Sequence, residues 1–151
     1  MTKGVYTIIL QIHRPVSIEI GSIGRYNLER GFYAYTGSAF GSGGLESRIA
    51  RHLRREKKIF WHIDYLTSNF NISIAAFIKA EEKRKIECEV NRGIFEKLDS
   101  EPIVKVGSSD CKEGCKAHLI RIKDLDFSLC LRGVIEVYLE STRKPIVVNV
   151  N

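Results

Sequence analysis

No apolar run in the sequence approaches the roughly 18–20 residues needed to span a bilayer, and no h-region of a leader follows Met1-Thr2-Lys3. These absences argue against a membrane helix and a secretory leader, so the expectation is a cytoplasmic protein with no membrane partner. Linkers, low-complexity tracts and internal repeats are missing too, which makes residues 1–151 a single expected domain with its core over 4–123 and an extension over 124–151. Cysteine is sparse: Cys88, Cys111, Cys115 and Cys130 are the four. In a reducing compartment they read as thiols or ligands rather than as a disulfide framework. Gln11 is the only glutamine amid plentiful Lys, Arg, Ile and Glu, a hint of adaptation to heat.

What is present is a hydrophobic fraction of 44%, enough to bury a core without staples, and a net charge of +6. Summed positive potential gathers anions, which favours a polyanionic partner. The basic residues gather around residues 31–65. There a strand-like run from Phe32 to Tyr35 breaks into a loop with Gly41, Gly43 and Gly44, and a helical pattern follows from Leu45 to about Glu56. A strand, a glycine-rich loop and a basic helix can present N–H groups and cations to phosphate. A surface turn before a solvated helix fits the same spacing. Helical periodicity gives Leu45, Ile49 and Leu53 as the apolar stripe, with Arg48 and His52 beside it and Arg51 and Arg54 toward solvent.

Residues 4–12 read as a strand largely buried on both faces, with Tyr6, Ile8, Leu10 and Ile12 on one of them; 16–20 alternates like a half-exposed strand, and 72–79 reads as a buried one. A short strand is expected at 103–106, a helix over about 84–98, and a closing pair of strands from GVIEVYLES and KPIVVNVN. Trp61 to Leu66 reads as a short helix. In the helix over 84–98, Ile86, Val90, Ile94 and Leu98 form the core stripe, and Glu87 and Lys97 fall inside it. A carboxylate there needs a partner: an arginine at the core edge, or a role as metal ligand or acid. Cys111, Cys115 and His118 lie close enough in sequence to bind zinc. Without a common zinc spacing or an evident fourth ligand, packing thiols are favoured over a metal there.

Gly4-Val5-Tyr6 and Tyr35-Thr36-Gly37, followed by Arg48 and His52 four residues apart on a helix and by Glu87 on a later helix, resemble the GIY-YIG nuclease superfamily. The YTGSA, RH, WHIDYL, EC and SDC…C…HL segments are most similar to an uncharacterised archaeal and bacterial branch of it. The resemblance implies an α+β fold: a small antiparallel or mixed sheet flanked by helices, with an added strand between the two motif strands and a C-terminal β extension. It implies a metal-dependent endonuclease hydrolysing phosphodiester bonds, with DNA favoured over RNA as partner. Tyr6, Tyr35, Arg48 and His52 take catalytic positions, and Glu87 holds one Mg²⁺ or Mn²⁺ that keeps most of its waters. The general base is Tyr6, Tyr35 or His52; on intrinsic pKa histidine is the more natural. Ser38, Arg51, Arg54, Arg55, Lys57 and Lys58 are the expected nucleic-acid contacts. His62, Asp110, Cys111, Cys115 and His118 form a second candidate group. The alternative is a non-catalytic nucleic-acid-binding module on the same fold, although a pure binder gains nothing from Glu87 beside phosphates.

Overall fold

The computed structural model describes residues 2–108, 111–142 and 144–150. Its central sheet grows from β1 (Gly4–Ile12), which pairs antiparallel along its whole length with β4 (Gly31–Ala39) on one side and β5 (Ile72–Glu81) on the other. With β7 (Leu119–Ile122) and β6 (Ser100–Pro102) beyond β4, and β8 (Ile146–Asn149) beyond β5, the order is β6-β7-β4-β1-β5-β8. The protein is thus α+β, with a six-stranded antiparallel sheet and four helices, as the sequence indicates.

Period-2 alternation in β1 decides what lies on each face. Tyr6, Ile8, Leu10 and Ile12 join Tyr33, Tyr35 and Phe77 in one core, against α1 (Gly44–Leu53) and α2 (His62–Thr67). Val5 and Ile9 join Phe32, Ala34 and Ile78 in the other, against α3 (Glu87–Lys97) and α4 (Phe127–Ser141). Thr7 faces this second core without cost because its hydroxyl is bonded to Thr36 and to Tyr138, each at 2.8 Å.

Five details differ from the sequence expectation. Between the motif strands stand two strands, not one: β2 (Val16–Glu19) and β3 (Arg25–Leu28) make a separate hairpin whose Val16, Ile18 and Leu28 enter the first core. The strand β4 continues through Thr36-Gly37-Ser38-Ala39, because the nine residues of β1 pair with all of it. The short strand after α3 is Ser100–Pro102, while Lys105 at φ 75° lies in a turn. Lys97 lies outside the core stripe, on an exposed face, and ties α3 to Glu136 and Glu140 of α4. GVIEVYLES is helix, not strand. Cys130, Val134, Val137 and Tyr138 are buried at i, i+4, i+7 and i+8, and the Asp126 side chain caps the helix by accepting from the Leu129 N–H. The β8 strand forms as expected, but it pairs with β5 at the sheet edge instead of with GVIEVYLES, and every residue of it is exposed. Among the described residues no helix is long and apolar enough to cross a membrane.

Candidate functional site

The start of β1 and the end of β4 bring the motif residues to one rim of the sheet. Tyr6 pairs with Gly37 across the strands, and a Cβ at Gly37 would lie 2.7 Å from the Tyr6 hydroxyl, so only glycine leaves room for that phenol. The Tyr6 hydroxyl is 2.9 Å from His52 Nε2 in a buried hydrogen bond. The Tyr35 ring meets His52 edge-on at 6.3 Å between centroids. Arg48 Nη1 donates to the Ser38 carbonyl at 3.0 Å. On the opposite face of β4 the Ser38 hydroxyl donates to Glu87, the half-buried first residue of α3. Ser38 thereby joins the two halves of the site: one residue holds the cation through its backbone and the carboxylate through its side chain.

Burial sets the protonation of these groups. It pushes Tyr6 up to about 12 although Arg48 beside it pulls the other way. It pushes His52 down to about 3, helped by the Lys57, Arg51 and Arg48 charges and opposed by Asp64. His52 is therefore a neutral imidazole committed to Tyr6, with its Nδ1 buried and unpartnered. Burial raises Tyr35 most of all, the neighbouring Tyr6, Asp64 and Glu87 adding to it.

The helix α1 is oriented differently from a phosphate cradle. Its first turn is already engaged: Leu45 N–H donates to the Thr2 carbonyl at 2.7 Å, and Glu46 lies beside it. Nor does Arg51 point to solvent. The helix α2 folds back so that the wholly buried Asp64 takes both Arg51 Nη atoms, at 2.7 and 2.8 Å, and the N–H groups of Phe60 and Trp61, both at 2.8 Å. The Arg51 and Arg48 guanidinium carbons lie 4.4 and 4.6 Å from the Trp61 ring centroid, so one indole steadies both. Lys57 donates to the Arg51 and His52 carbonyls and to Thr67 Oγ1, closing the C-terminus of α1, with burial holding it down to about 8. Arg55 donates to the Asn69 carbonyl at 2.6 Å and lies over Phe70. Arg54 and Lys58 alone of the expected contacts are exposed with side chains that bond no other described residue.

The sequence gives Asp64 no site role and Trp61 only a place in the short helix. The signal was there: a carboxylate between Ile63 and Leu66, by the same argument that singles out Glu87.

Two of these groups make the protein acid-labile. In the folded chain His52 stays neutral down to about 3, whereas an unfolded imidazole takes up a proton near about 6.5. Burial tends to raise Asp64, but the Arg51 fork and the Trp61 and Phe60 N–H groups outweigh it and hold the carboxyl below its usual range. Below about pH 6.5 the unfolded chain therefore binds the extra His52 proton, and below about 3.9 the Asp64 proton as well. Both contributions are complete above those values and are lost as the pH falls. The urea midpoint should drop steadily from about pH 7 to about pH 4, less steeply in His52→Gln; a midpoint that rises over that interval contradicts the assignment.

The second group assembles more completely than its spacing suggests. Cys88, Cys111, Cys115 and His118 place one ligand atom each within 4.8 Å of one another and could hold a metal ion. Cys88, the neighbour of Glu87, is the fourth ligand that the Cys111–His118 spacing lacks. His62 is not part of the set; its Nδ1 accepts from the Gly107 N–H at 3.1 Å. Asp110 lies outside the described residues. Gly107, at φ 76°, links the two groups: a Cβ there would meet the Tyr35 ring at 2.9 Å and His118 Cβ at 3.2 Å.

No curated protein and no solved structure matches the chain. A family model does, over residues 5–138, a span that contains Tyr6, Tyr35, Arg48, His52, Glu87 and all four residues of the Cys/His cluster. By that match the chain belongs to the domain of unknown function DUF123 family.

Proposed function

We propose that the protein is a metal-dependent nuclease that hydrolyses phosphodiester bonds in nucleic acid, DNA ahead of RNA, on a GIY-YIG-like fold. The observation that carries this reading is the junction at Ser38, which holds a carboxylate, Glu87, through its hydroxyl and an arginine, Arg48, through its carbonyl, at the rim where Tyr6 and His52 are hydrogen-bonded. A single half-buried carboxylate fits an Mg²⁺ or Mn²⁺ that retains most of its waters. When bound, such an ion supplies Lewis acidity to a phosphoryl oxygen.

The chain's own residues do the rest. Arg48, steadied on Trp61 and tethered to the Ser38 carbonyl, keeps further guanidinium donors for the charge that develops on the phosphate oxygens. Tyr6 orients the attacking water. The water's proton passes to the Tyr6 oxygen as the Tyr6 proton passes to His52 Nε2, so no buried phenolate forms and His52 is the general base acting through Tyr6. A phosphate anion at the rim outside the buried His52 raises its depressed proton affinity and assists the transfer. Tyr35 walls the site without titrating.

Binding draws on Arg54 and Lys58 and on Phe60, which is 76% exposed and packs edge-on against Trp61 at 5.3 Å between centroids. An exposed ring beside cations stacks on an unpaired base. Phe60→Ala is expected to weaken single-stranded DNA binding by about 1–3 kcal/mol while leaving duplex binding close to wild type; equal loss on both would remove Phe60 from the interface.

The decisive assay incubates wild-type protein and Glu87→Gln with plasmid, branched, flap and single-stranded DNA and with RNA, in Mg²⁺, Mn²⁺ or chelator. Metal-dependent cleavage by wild type alone supports the nuclease. Tight, salt-dependent binding of well-folded protein with no cleavage of any substrate assigns the non-catalytic module instead.

A further inference from the structure

Between β6 and β7 the chain runs through residues 103–118 without helix or strand among the described residues, longer than the roughly 12–15 residues that compact domains ordinarily leave unsupported. Val106 is its wholly buried anchor. Backbone bonds from Ile103 to Leu119, Lys105 to Lys116 and His118 to Val106 close the base of the segment. They do not reach its tip, where Lys112, Glu113 and Gly114 are exposed and Cys111 and Cys115 turn inward. The tip has no aliphatic side chain with which to hold itself against the domain. The two inward cysteines meet Cys88 in the first turn of α3 and His118 at the entry to β7.

The distances identify what joins them. Cys88 Sγ lies 3.5 Å from Cys111 Sγ and 3.6 Å from His118 Nε2. A disulfide needs sulfurs about 2.05 Å apart. A tetrahedral zinc with Zn–S of about 2.3 Å and Zn–N of about 2.0–2.1 Å requires S···S edges of about 3.8 Å and S···N edges of about 3.6 Å. Three sulfurs and one imidazole nitrogen, gathered within 4.8 Å from separate parts of the chain, are a complete ligand set for that ion.

We propose that Cys88, Cys111, Cys115 and His118 bind one Zn²⁺ in a closed structural site that fastens segment 103–118 to the first turn of α3. With four protein ligands no coordination position remains for substrate, so this zinc is separate from the divalent ion at Glu87 and its role is to hold. Because Cys88 follows Glu87 directly, and because a Cβ at Gly107 would run into both the Tyr35 ring and His118, the zinc fixes the carboxylate and one wall of the neighbouring site. The zinc assignment stands on the ligand geometry and is independent of the cleavage reaction.

The test uses full-length protein purified under reducing conditions. Metal analysis should find one zinc per chain. Cobalt exchanged into the site should show thiolate-to-metal charge transfer and the intense ligand-field bands of a tetrahedral ion. Cys111→Ser and Cys115→Ser should lose the bound zinc, whereas Cys130→Ser, whose thiol donates to the Asp124 carbonyl, should keep it. Removing zinc from wild type with a strong chelator should speed amide exchange in residues 103–108 and in the first turn of α3 by at least about 100-fold, with the β2–β3 hairpin unchanged. Zinc-free protein that takes up no zinc at buffered nanomolar concentration overturns the proposal. So does iron in place of zinc, an octahedral cobalt spectrum, or exchange that is indifferent to chelation. The wild-type cobalt spectrum decides the matter even if the serine variants do not fold.

Discussion

Glu87→Gln is expected to slow metal-dependent cleavage by on the order of 10²–10³-fold, equivalent to about 3–4 kcal/mol of barrier. Glutamine keeps the length of the side chain, and its amide oxygen can still accept the Ser38 hydroxyl, so the junction between β4 and α3 survives. What disappears is the negative charge, and with it the hold on a hard divalent cation that binds few protein ligands. The same change has an opposite effect on binding. In chelator, a carboxylate beside phosphate is repulsive, so the variant should bind DNA at least as tightly as wild type. Slow cleavage with undiminished binding assigns Glu87 to metal; cleavage within tenfold of wild type removes it from the site. A variant that loses both would indicate that Glu87 is a structural partner of Ser38 alone.

The largest stability effect is expected at Asp64, which is 0% exposed and accepts four hydrogen bonds. Asp64→Ala leaves Arg51 without its counter-charge and two N–H groups without an acceptor at the start of α2. Breaking a buried pair from one side costs about 3–5 kcal/mol, a large share of the about 5–15 kcal/mol that stabilises an ordinary domain. For a chain of this length that lowers the melting temperature by about 6–20 °C. Calorimetry and urea unfolding check it. A loss below about 1 kcal/mol would rank the pair with exposed ones. The site should suffer as well, because Trp61, which steadies Arg48, is fixed through its own N–H to Asp64.

The strands of the central sheet were legible because 4–12 and 72–79 are short, nearly continuous apolar runs rich in isoleucine, the local mark of strands buried on both faces. The same reasoning misread residues 133–141. There Val134, Ile135, Val137 and Tyr138 are β-branched or aromatic and favour a strand by type, but Cys130, Val134, Val137 and Tyr138 fit a helical stripe, and the Asp126 cap resolves the ambiguity. Tyr6, Tyr35, Arg48, His52 and Glu87 were named from the sequence, and the structure gathers them at one rim. Arg51 was misplaced because spacing along α1 describes one helix in isolation, whereas its partner comes from α2 folding across it. The fourth member of the Cys/His group was missed for a related reason. Cys88 reaches Cys111 through the packing of α3 against β4, and no local period encodes that contact.

The exposed edge strand β8 has a consequence for how copies of the protein behave together. None of its residues belongs to either core, yet Val147 and Val148 are only 36% and 38% exposed, so detaching it uncovers apolar side chains as well as the backbone edge of β5 from Ala76 to Lys79, next to the uncharged run Ile74-Ala75-Ala76-Phe77-Ile78. An open edge on such a run is a template for another chain's strand. β8 covers that edge of β5 but, as an uncharged edge strand with Ile146, Val147 and Val148 all exposed, it moves the open edge outward rather than abolishing it.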